Sequence, residues 1–230
     1  ATRLGGSEWF INEDIISKSL NSQHGCLVYS FGVGETDEYT QLMVQKGCHV
    51  FAFDPTVNHP KDWMPNVTFY PWGLRNSESQ KEWSHPVYGN ITGSFLTLPE
   101  IIHKLGHAQR TITAMKFDCE GCEFGAFKDL IRGKVDNQIL MLNSEFHFAS
   151  TLGMVDSNDV GRIYYAHAYL KSHKCKILHF KRNPGFEGDQ YKVPMLLTEA
   201  GVNPRFCCYE VNYICGNITE LLGAGAIVGT

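Results

Sequence analysis

The chain has 230 residues, of which 43% are hydrophobic and 19% are charged, so it can bury the core of one large α/β domain. Its formal net charge of −4 and its lack of a basic run argue against binding to the phosphate backbone of nucleic acid. No apolar run approaches the roughly 18 residues of a membrane span, and a start at Ala1 without methionine indicates a processed or truncated chain.

Helical and strand-like segments alternate along the sequence. Apolar spacing and end signals predict helices at Trp9–Leu20, Asp37–Lys46, between Pro99 and Gly106, at Glu123–Ile131 and from about Val160 to His173. Short apolar runs predict strands at Cys26–Phe31, His49–Phe53, Val67–Tyr70, Thr113–Phe117, Ile139–Glu145, Cys175–Lys181 and Arg205–Ile214.

This alternation predicts a doubly wound, mostly parallel seven-stranded sheet. The last two strands are expected to form an antiparallel edge hairpin. We interpret residues 1–230 as a single domain, with an N-terminal helical cap over 1–25 and a core over 26–215.

Eight cysteines and three glycosylation sequons favour the secretory pathway, as a Golgi luminal or extracellular protein, over the cytoplasm. N-glycans are expected at Asn66, Asn90 and Asn217. Spacing does not fix the disulfides. Cys26 with Cys48, and Cys207 or Cys208 with Cys215, are the candidate pairs.

The glycine turn after the first strand is a candidate cofactor loop. In an open parallel sheet, ligands bind beyond the carboxyl ends of the strands. Gly32 and Gly34 follow the first strand there, and Asp54 ends the second, where a carboxylate typically holds ribose hydroxyls. The pattern GxGxxG is incomplete because position 37 is Asp, which disfavours a nicotinamide cofactor.

Two further side chains near this turn bear on the ligand. The acid Glu35, together with Asp37, would repel a pyrophosphate and suits a ligand that carries an amine and a sulfonium. Trp72 follows the third strand, where it could face an adenine. Taken alone, such a turn more often only joins a strand to a helix.

The segment MKFDCEGCEF ends the fourth strand with Asp118, Glu120 and Gly121 around the crevice. The alternative without chemistry is that Lys116 pairs with a carboxylate while Glu120 or Glu123 caps the next helix. The segment also spells CxxC, but no second pair lies at zinc-site spacing, so a redox or zinc role is disfavoured.

The segment NSEFHF places Glu145 and His147 on the same side of a strand. A histidine beside a carboxylate can act as a general base, or both can bind a divalent cation together with Asp118. The alternative is a histidine that is merely hydrogen-bonded within a polar loop. Histidines 103, 107, 167 and 173 are expected at the surface.

The sequence resembles the FkbM-like and methyltransferase-like 24 group of S-adenosylmethionine (SAM) dependent methyltransferases in six segments, which occur in the order VYSFGVGETDEY, VFAFDPT, WGL, LGH, MKFDCEGCEF and SEFH. The resemblance spans Leu27 to Ile214. It implies a class I Rossmann-like methyltransferase fold. By position, it also implies that Gly32 and Gly34 form the SAM glycine loop, that Asp54 binds the ribose, and that Asp118, Glu120 and Gly121 lie near the transferred methyl group. Glu35 and Trp72 are added as cofactor-binding residues because of their own places after the first and third strands.

The leading hypothesis is therefore O-methylation of a hydroxyl on a sugar, glycan or small metabolite. His147 or Asp118 would act as the base, oriented by Glu145. In a variant of this hypothesis, Asp118, Glu145 and His147 hold a divalent cation. The alternative is a secreted or luminal protein that keeps the fold as a binding or structural component without catalysis.

Overall fold

A computed structural model provides the fold. The structure describes residues 2–4, 7–75, 82–85, 89–133, 135, 138–147, 167–168, 170–172, 175–182 and 208–215.

Seven strands form the main sheet. They are β1 (Leu27–Phe31), β2 (His49–Phe53), β3 (Val67–Tyr70), β4 (Ile112–Phe117), β5 (Ile139–His147), β6 (Lys176–Arg182) and β7 (Cys208–Ile214). Their spatial order is β6-β7-β5-β4-β1-β2-β3. Strands β1 to β5 pair in parallel, whereas β7 runs antiparallel to both β5 and β6.

The predicted mostly parallel sheet with an antiparallel pair at its edge is confirmed. The structure adds that β7 lies between β5 and β6, and that β6 forms the edge of the sheet. Burial explains this order, because all seven residues of β7 are buried, whereas Ile177, Leu178 and Phe180 of β6 are exposed.

Two pairs of helices cover the two faces of the sheet. They are α1 (Glu13–Leu20) and α2 (Glu38–Gln45) on one face, and α3 (Leu98–Lys104) and α4 (Cys122–Gly133) on the other. In the described part of the chain, three short pairs of strands lie outside the main sheet: Thr2–Leu4 with Ser7–Trp9, Trp72–Leu74 with Ser94–Leu96, and Glu82–His85 with Gly89–Thr92.

The N-terminal cap differs from the predicted helix at Trp9–Leu20. Ser7–Trp9 is a strand, and α1 begins only at Glu13. The reason is local, since the side chain of Asn12 accepts a hydrogen bond from the backbone N–H of Ile15 at 3.1 Å and so caps the helix start. The expected helix from about Val160 lies largely outside the described residues, of which 167–168 and 170–172 are helical.

Three disulfides join described cysteines. The predicted Cys26–Cys48 bond is present. Cys215 bonds to Cys175 rather than to Cys207 or Cys208, because the antiparallel pairing of β6 with β7 brings the start of one beside the end of the other. The third bond joins Cys119 to Cys122.

None of the described helices is long and apolar enough to cross a membrane. Asn66 and Asn90, the acceptors of two predicted sequons, are exposed, and Asn217 lies outside the described residues.

His107 is buried, contrary to its predicted place at the surface. It follows α3 and is hydrogen-bonded through Nδ1 to the hydroxyl of Tyr29 at 2.7 Å. Burial, assisted by the positive charge of Arg110, lowers the pKa of His107 to about 4. The ring is therefore neutral in the folded protein at neutral pH.

We expect His107 to destabilise the fold in mild acid. Below the ordinary histidine pKa of about 6.5, His107 binds a proton in the unfolded chain, whereas in the folded chain it binds one only near pH 4. Stability should then fall by up to about 1.4 kcal/mol per pH unit across this window. Urea unfolding at several pH values, compared with His107→Phe, measures the effect. If the unfolding free energy of the variant falls with decreasing pH as steeply as that of the unmodified protein, His107 is not the cause.

Candidate functional site

Three strand ends meet at the glycine turn that follows β1. The backbone N–H of Gly32 donates to the carbonyl of Phe53 at 2.9 Å, and that of Asp118 donates to the carbonyl of Phe31 at 3.1 Å. A Cβ on Gly32, whose φ is +77°, would lie 1.7 Å from the Asp118 carbonyl oxygen. Only glycine therefore fits where β1 and β4 end, at what we call the carboxyl edge of the sheet.

Lys116 is the buried anchor of this edge. Its ammonium donates to the Gly32 carbonyl at 2.9 Å, and it lies 3.2 Å from Asp37 Oδ1 and 3.3 Å from Asp118 Oδ2. Burial by itself would lower the pKa of Lys116, but the charges of Asp37 and Asp118 outweigh that effect and raise it. Lys116 is consequently a cation that ties the glycine turn to two carboxylates.

Asp37 caps a helix and does not face a ligand as predicted. Its Oδ2 accepts from Ser30 Oγ at 2.9 Å and from the Thr40 backbone N–H at 3.1 Å, and it also bonds to the Thr40 hydroxyl. These bonds cap the start of α2. The buried ion pair of Asp37 with Lys116 therefore fixes the helix that follows the glycine turn.

A row of buried polar side chains crosses the sheet beneath this helix. Ser30, Lys116, Asn143 and Asn212 are successive partners in the register of β1, β4, β5 and β7. Asn143 donates to the hydroxyl of Tyr39 in α2 at 3.1 Å. The row lets the helix bond to the sheet and pack on it, which sets its position above the carboxyl edge.

Asp54 lies at the end of β2, as predicted, and closes the glycine turn from the other side. Its Oδ2 accepts from the Gly34 N–H at 2.8 Å, and its Oδ1 accepts from the Thr56 N–H at 2.8 Å and the Thr56 hydroxyl at 2.6 Å. The Gly34 carbonyl bonds to His59 Nε2 at 2.8 Å. Three of the roughly four acceptor positions of this carboxylate are thus used within the chain.

The second cationic centre of the site is His147, at the end of β5. Its Nδ1 donates to Glu123 Oε1 at 2.8 Å, and its Nε2 lies 3.8 Å from Asp118 Oδ1 and 3.7 Å from Glu120 Oε2. Its side chain is 4% exposed, compared with 28% for Asp118 and 36% for Glu120. The histidine therefore lies behind the two carboxylates that reach the surface.

The charges around His147 decide its protonation state. Burial by itself would lower its pKa, but Glu123, Glu120 and Glu145 raise it well above the ordinary value. A protonated imidazole donates from both nitrogens and has no lone pair with which to take up a proton. Burial, together with the charges of Asp118 and Glu123, raises the pKa of Glu120, against the opposing effect of His147.

The predicted metal ligands are not all brought together. Among the described residues, the side chains whose ligand atoms lie within 4.8 Å of one another are Glu145, His147 and Cys208. The sulfur of Cys208 is disulfide-bonded and is thus not a thiolate ligand. Asp118 is not part of this group, although its Oδ1 lies 3.8 Å from His147 Nε2.

Residues 2–185 match the sequence profile of a family described as "Methyltransferase domain". The chain belongs to this methyltransferase family. No curated protein sequence matches it.

Solved structures resemble this methyltransferase domain only distantly. A Streptococcus thermophilus protein described as a hemolysin is 9% identical with a TM-score of 0.42, over 89% of this chain and 66% of that one. A human methyltransferase 10 domain containing protein is 9% identical with a TM-score of 0.42, over 84% and 72%. A Burkholderia thailandensis 1,6-didemethyltoxoflavin N1-methyltransferase, solved with S-adenosylhomocysteine, is 10% identical with a TM-score of 0.39, over 89% and 76%.

Glu35 and Trp72, both predicted to bind the cofactor, have different surroundings in the methyltransferase domain. Glu35 is exposed on the glycine turn. Trp72 is half-buried and packs on Tyr70 and Phe53, with ring centroids 4.3 and 6.2 Å away. Its aromatic neighbours are part of the core on the α3 and α4 face.

Two supports of the candidate site have roles other than the predicted ones. Asp37 is predicted to face the ligand, although an Asp one residue before a helix is a cap signal. Glu123 is predicted only as a possible cap. It accepts from the Cys119 N–H at 3.1 Å as a cap does, and the same oxygen also binds His147.

We expect Gly32→Ala to unfold or severely destabilise the methyltransferase domain. The added Cβ would clash with the Asp118 carbonyl, and the alanine would have to adopt a positive φ. The loss of unfolding free energy should therefore exceed about 2 kcal/mol. Gly93→Ala is the matched control, because nothing lies within 4 Å of its Cβ position. Equal urea midpoints for the two variants would contradict this geometry.

His147→Gln should destabilise the domain by about 3 kcal/mol, because it leaves Glu123 buried without its cation. The pKa of His147 is raised in the folded state, so its contribution is complete below pH 6.5 and declines as pH rises through that raised value. Lys46→Met, which breaks the exposed Lys46–Glu13 pair, should cost less than about 1 kcal/mol. If both variants lose an equally small amount of unfolding free energy relative to the unmodified protein, the buried pair of His147 with Glu123 is refuted.

Proposed function

We propose that this chain is a SAM-dependent methyltransferase of the FkbM-like and methyltransferase-like 24 group that methylates a hydroxyl. The observation that carries the proposal is the placement of Asp118. Its carboxylate reaches the surface one residue beyond β4, beside Gly32, between the buried cations Lys116 and His147. Membership of the methyltransferase family supports the same reaction class.

The glycine turn and the acid after β2 are the residues that would hold SAM. Nothing lies within 4 Å of the Cβ position of Gly34, so a ligand can approach the backbone there. Asp54 retains about one acceptor position, which suits one ribose hydroxyl. The exposed acid Glu35 and the partly exposed Asp118 and Glu120 favour a ligand that carries positive charge.

Bound SAM supplies an electrophilic methyl group, and the chain must align the acceptor hydroxyl and take its proton. We assign the proton to Asp118 or Glu120 and not to His147. Asp118 is held in direction by both cations, and the raised pKa of Glu120 makes its carboxylate a stronger proton acceptor. His147 then acts as a positioning residue, and Glu145 supports its charge.

The acceptor class and the compartment are further parts of this proposal. A sugar, glycan or other small metabolite hydroxyl is the acceptor that the family resemblance favours. The disulfides among the described residues favour an oxidising compartment such as the Golgi lumen or the extracellular space. A glycosidase-sensitive mass shift after expression in secreting cells, lost when Asn66→Gln, Asn90→Gln and Asn217→Gln are combined, would support it.

Asp118→Asn should lower kcat about 100-fold, because it removes a proton acceptor of the site. We expect the affinity for SAM to change less than about threefold, since the ligand contacts lie mainly at the glycine turn and Asp54. Asp62→Asn, an exposed aspartate on a turn, is the matched control and should leave kcat unchanged. Transfer of radiolabelled methyl to a panel of hydroxyl compounds provides the measurement. An unchanged kcat in Asp118→Asn would reject this role.

The competing function is a secreted or luminal binding or structural protein without catalysis, which the disulfide content would also suit. Calorimetric titration with SAM and S-adenosylhomocysteine separates the two functions. Binding that weakens in Asp54→Asn supports the enzyme, whereas no binding at millimolar ligand supports the alternative. Activity that persists in a chelator would remove the variant in which Asp118, Glu145 and His147 hold a divalent cation.

A further inference from the structure

The segment Cys119–Cys122 forms a closed ring at the edge of the candidate active site. Its two cysteines are joined by a disulfide. Cys119 directly follows Asp118, and Cys122 is the first residue of α4. The ring therefore links the end of β4 to the start of α4 and encloses only Glu120 and Gly121.

The backbone inside the ring lies in a region that ordinary side chains avoid. The φ angles are +55° at Glu120 and +107° at Gly121. Glycine adopts such angles freely, but a non-glycine residue there is disfavoured and needs its surroundings to hold it. For Glu120, the covalent closure on both sides is the nearest such constraint.

The carboxylate of Glu120 extends from the ring to the neighbourhood of His147. Glu120 Oε2 is 3.7 Å from His147 Nε2, and the side chain is 36% exposed at the site. The backbone N–H of Cys119 donates to Glu123 Oε1 at 3.1 Å, the same oxygen that accepts from His147. The conformation of the ring and the charges around His147 are thus directly connected.

This disulfide differs from the two others between described cysteines. Cys26–Cys48 and Cys175–Cys215 lie at the opposite edge of the sheet, next to the starts of β1, β2 and β6, and every one of these four cysteines is buried. Cys119 is half-buried and lies beside the partly exposed acids Asp118 and Glu120. A reductant from solution can therefore reach Cys119 before the sulfurs of these four cysteines.

We propose that Cys119–Cys122 is a reducible redox site of this protein, and that a dithiol acting on it releases Glu120 from its place beside His147. The redox site itself stands apart from the proposed function. Only its effect on methyl transfer rests on that function.

The exchange balances as a two-electron reduction. A thiolate of the dithiol attacks Sγ of Cys119, the S–S bond breaks, and Cys122 leaves as a thiolate that takes up a proton. The second thiol of the reductant then attacks the mixed disulfide and releases Cys119 as a thiol. The protein gains two electrons and two protons, and the dithiol leaves as a cyclic disulfide.

Opening the ring should change the site in a defined way. Without the covalent closure, Glu120 can return to a negative φ, which is the favoured conformation for a non-glycine residue. Its carboxylate then moves away from Nε2 of His147. We expect kcat to fall about tenfold, because a displaced carboxylate no longer faces the acceptor.

The test uses the full chain with increasing dithiothreitol, followed by alkylation and mass spectrometry of the cysteine peptides. Cys119 and Cys122 should be labelled at least roughly tenfold faster than the internal control pair Cys26 and Cys48. The His147 ring resonance, followed by NMR, should shift when only this pair is reduced. Equal labelling of both pairs, or an unmoved resonance, would overturn the proposal.

A double variant, Cys119→Ser with Cys122→Ser, provides the second arm. It should show the reduced-state His147 resonance without any dithiol and a kcat that dithiothreitol no longer changes. If no state transfers methyl, the proposed function fails while labelling and the resonance still decide the redox site. If methyl transfer occurs but does not respond to reduction, the regulatory part is refuted and the methyltransferase assignment stands.

Discussion

The carboxyl edge of this sheet depends on the interactions of one buried group, the ammonium of Lys116. It holds the Gly32 carbonyl, the cap residue of α2 and the first residue after β4 at one point. A cation removed from water is stable only when such partners surround it, so loss of one partner leaves a buried charge uncompensated. The glycine turn, α2 and the end of β4 are therefore placed together.

His147 provides a second, similar centre on the far side of Asp118. Its partner Glu123 is fully buried, whereas Asp118 and Glu120 reach solvent. Two buried cations thus hold two accessible carboxylates from behind. This arrangement gives the site a negative surface and fixes the direction of its acids, two properties that suit proton removal beside a positively charged ligand.

The three disulfides between described cysteines lie at opposite edges of the sheet. Cys26–Cys48 and Cys175–Cys215 connect strand ends at the edge opposite the site, where they brace the core. Cys119–Cys122 lies among the site residues and encloses Glu120. The same bond chemistry therefore supports the core at one edge and borders the proposed chemistry at the other.

The sequence by itself determined the strands of the main sheet, the glycine turn and the acids at the strand ends, because apolar runs and glycine positions are local signals. It placed Gly32, Asp54 and Asp118 at the carboxyl edge, as the structure has them. Only the tertiary structure decided that Asp37 binds Lys116, that Glu123 binds His147, and that β7 lies between β5 and β6. Protonation of a buried histidine and the partner of a buried lysine depend on charges brought together from distant segments, and no local pattern encodes that meeting.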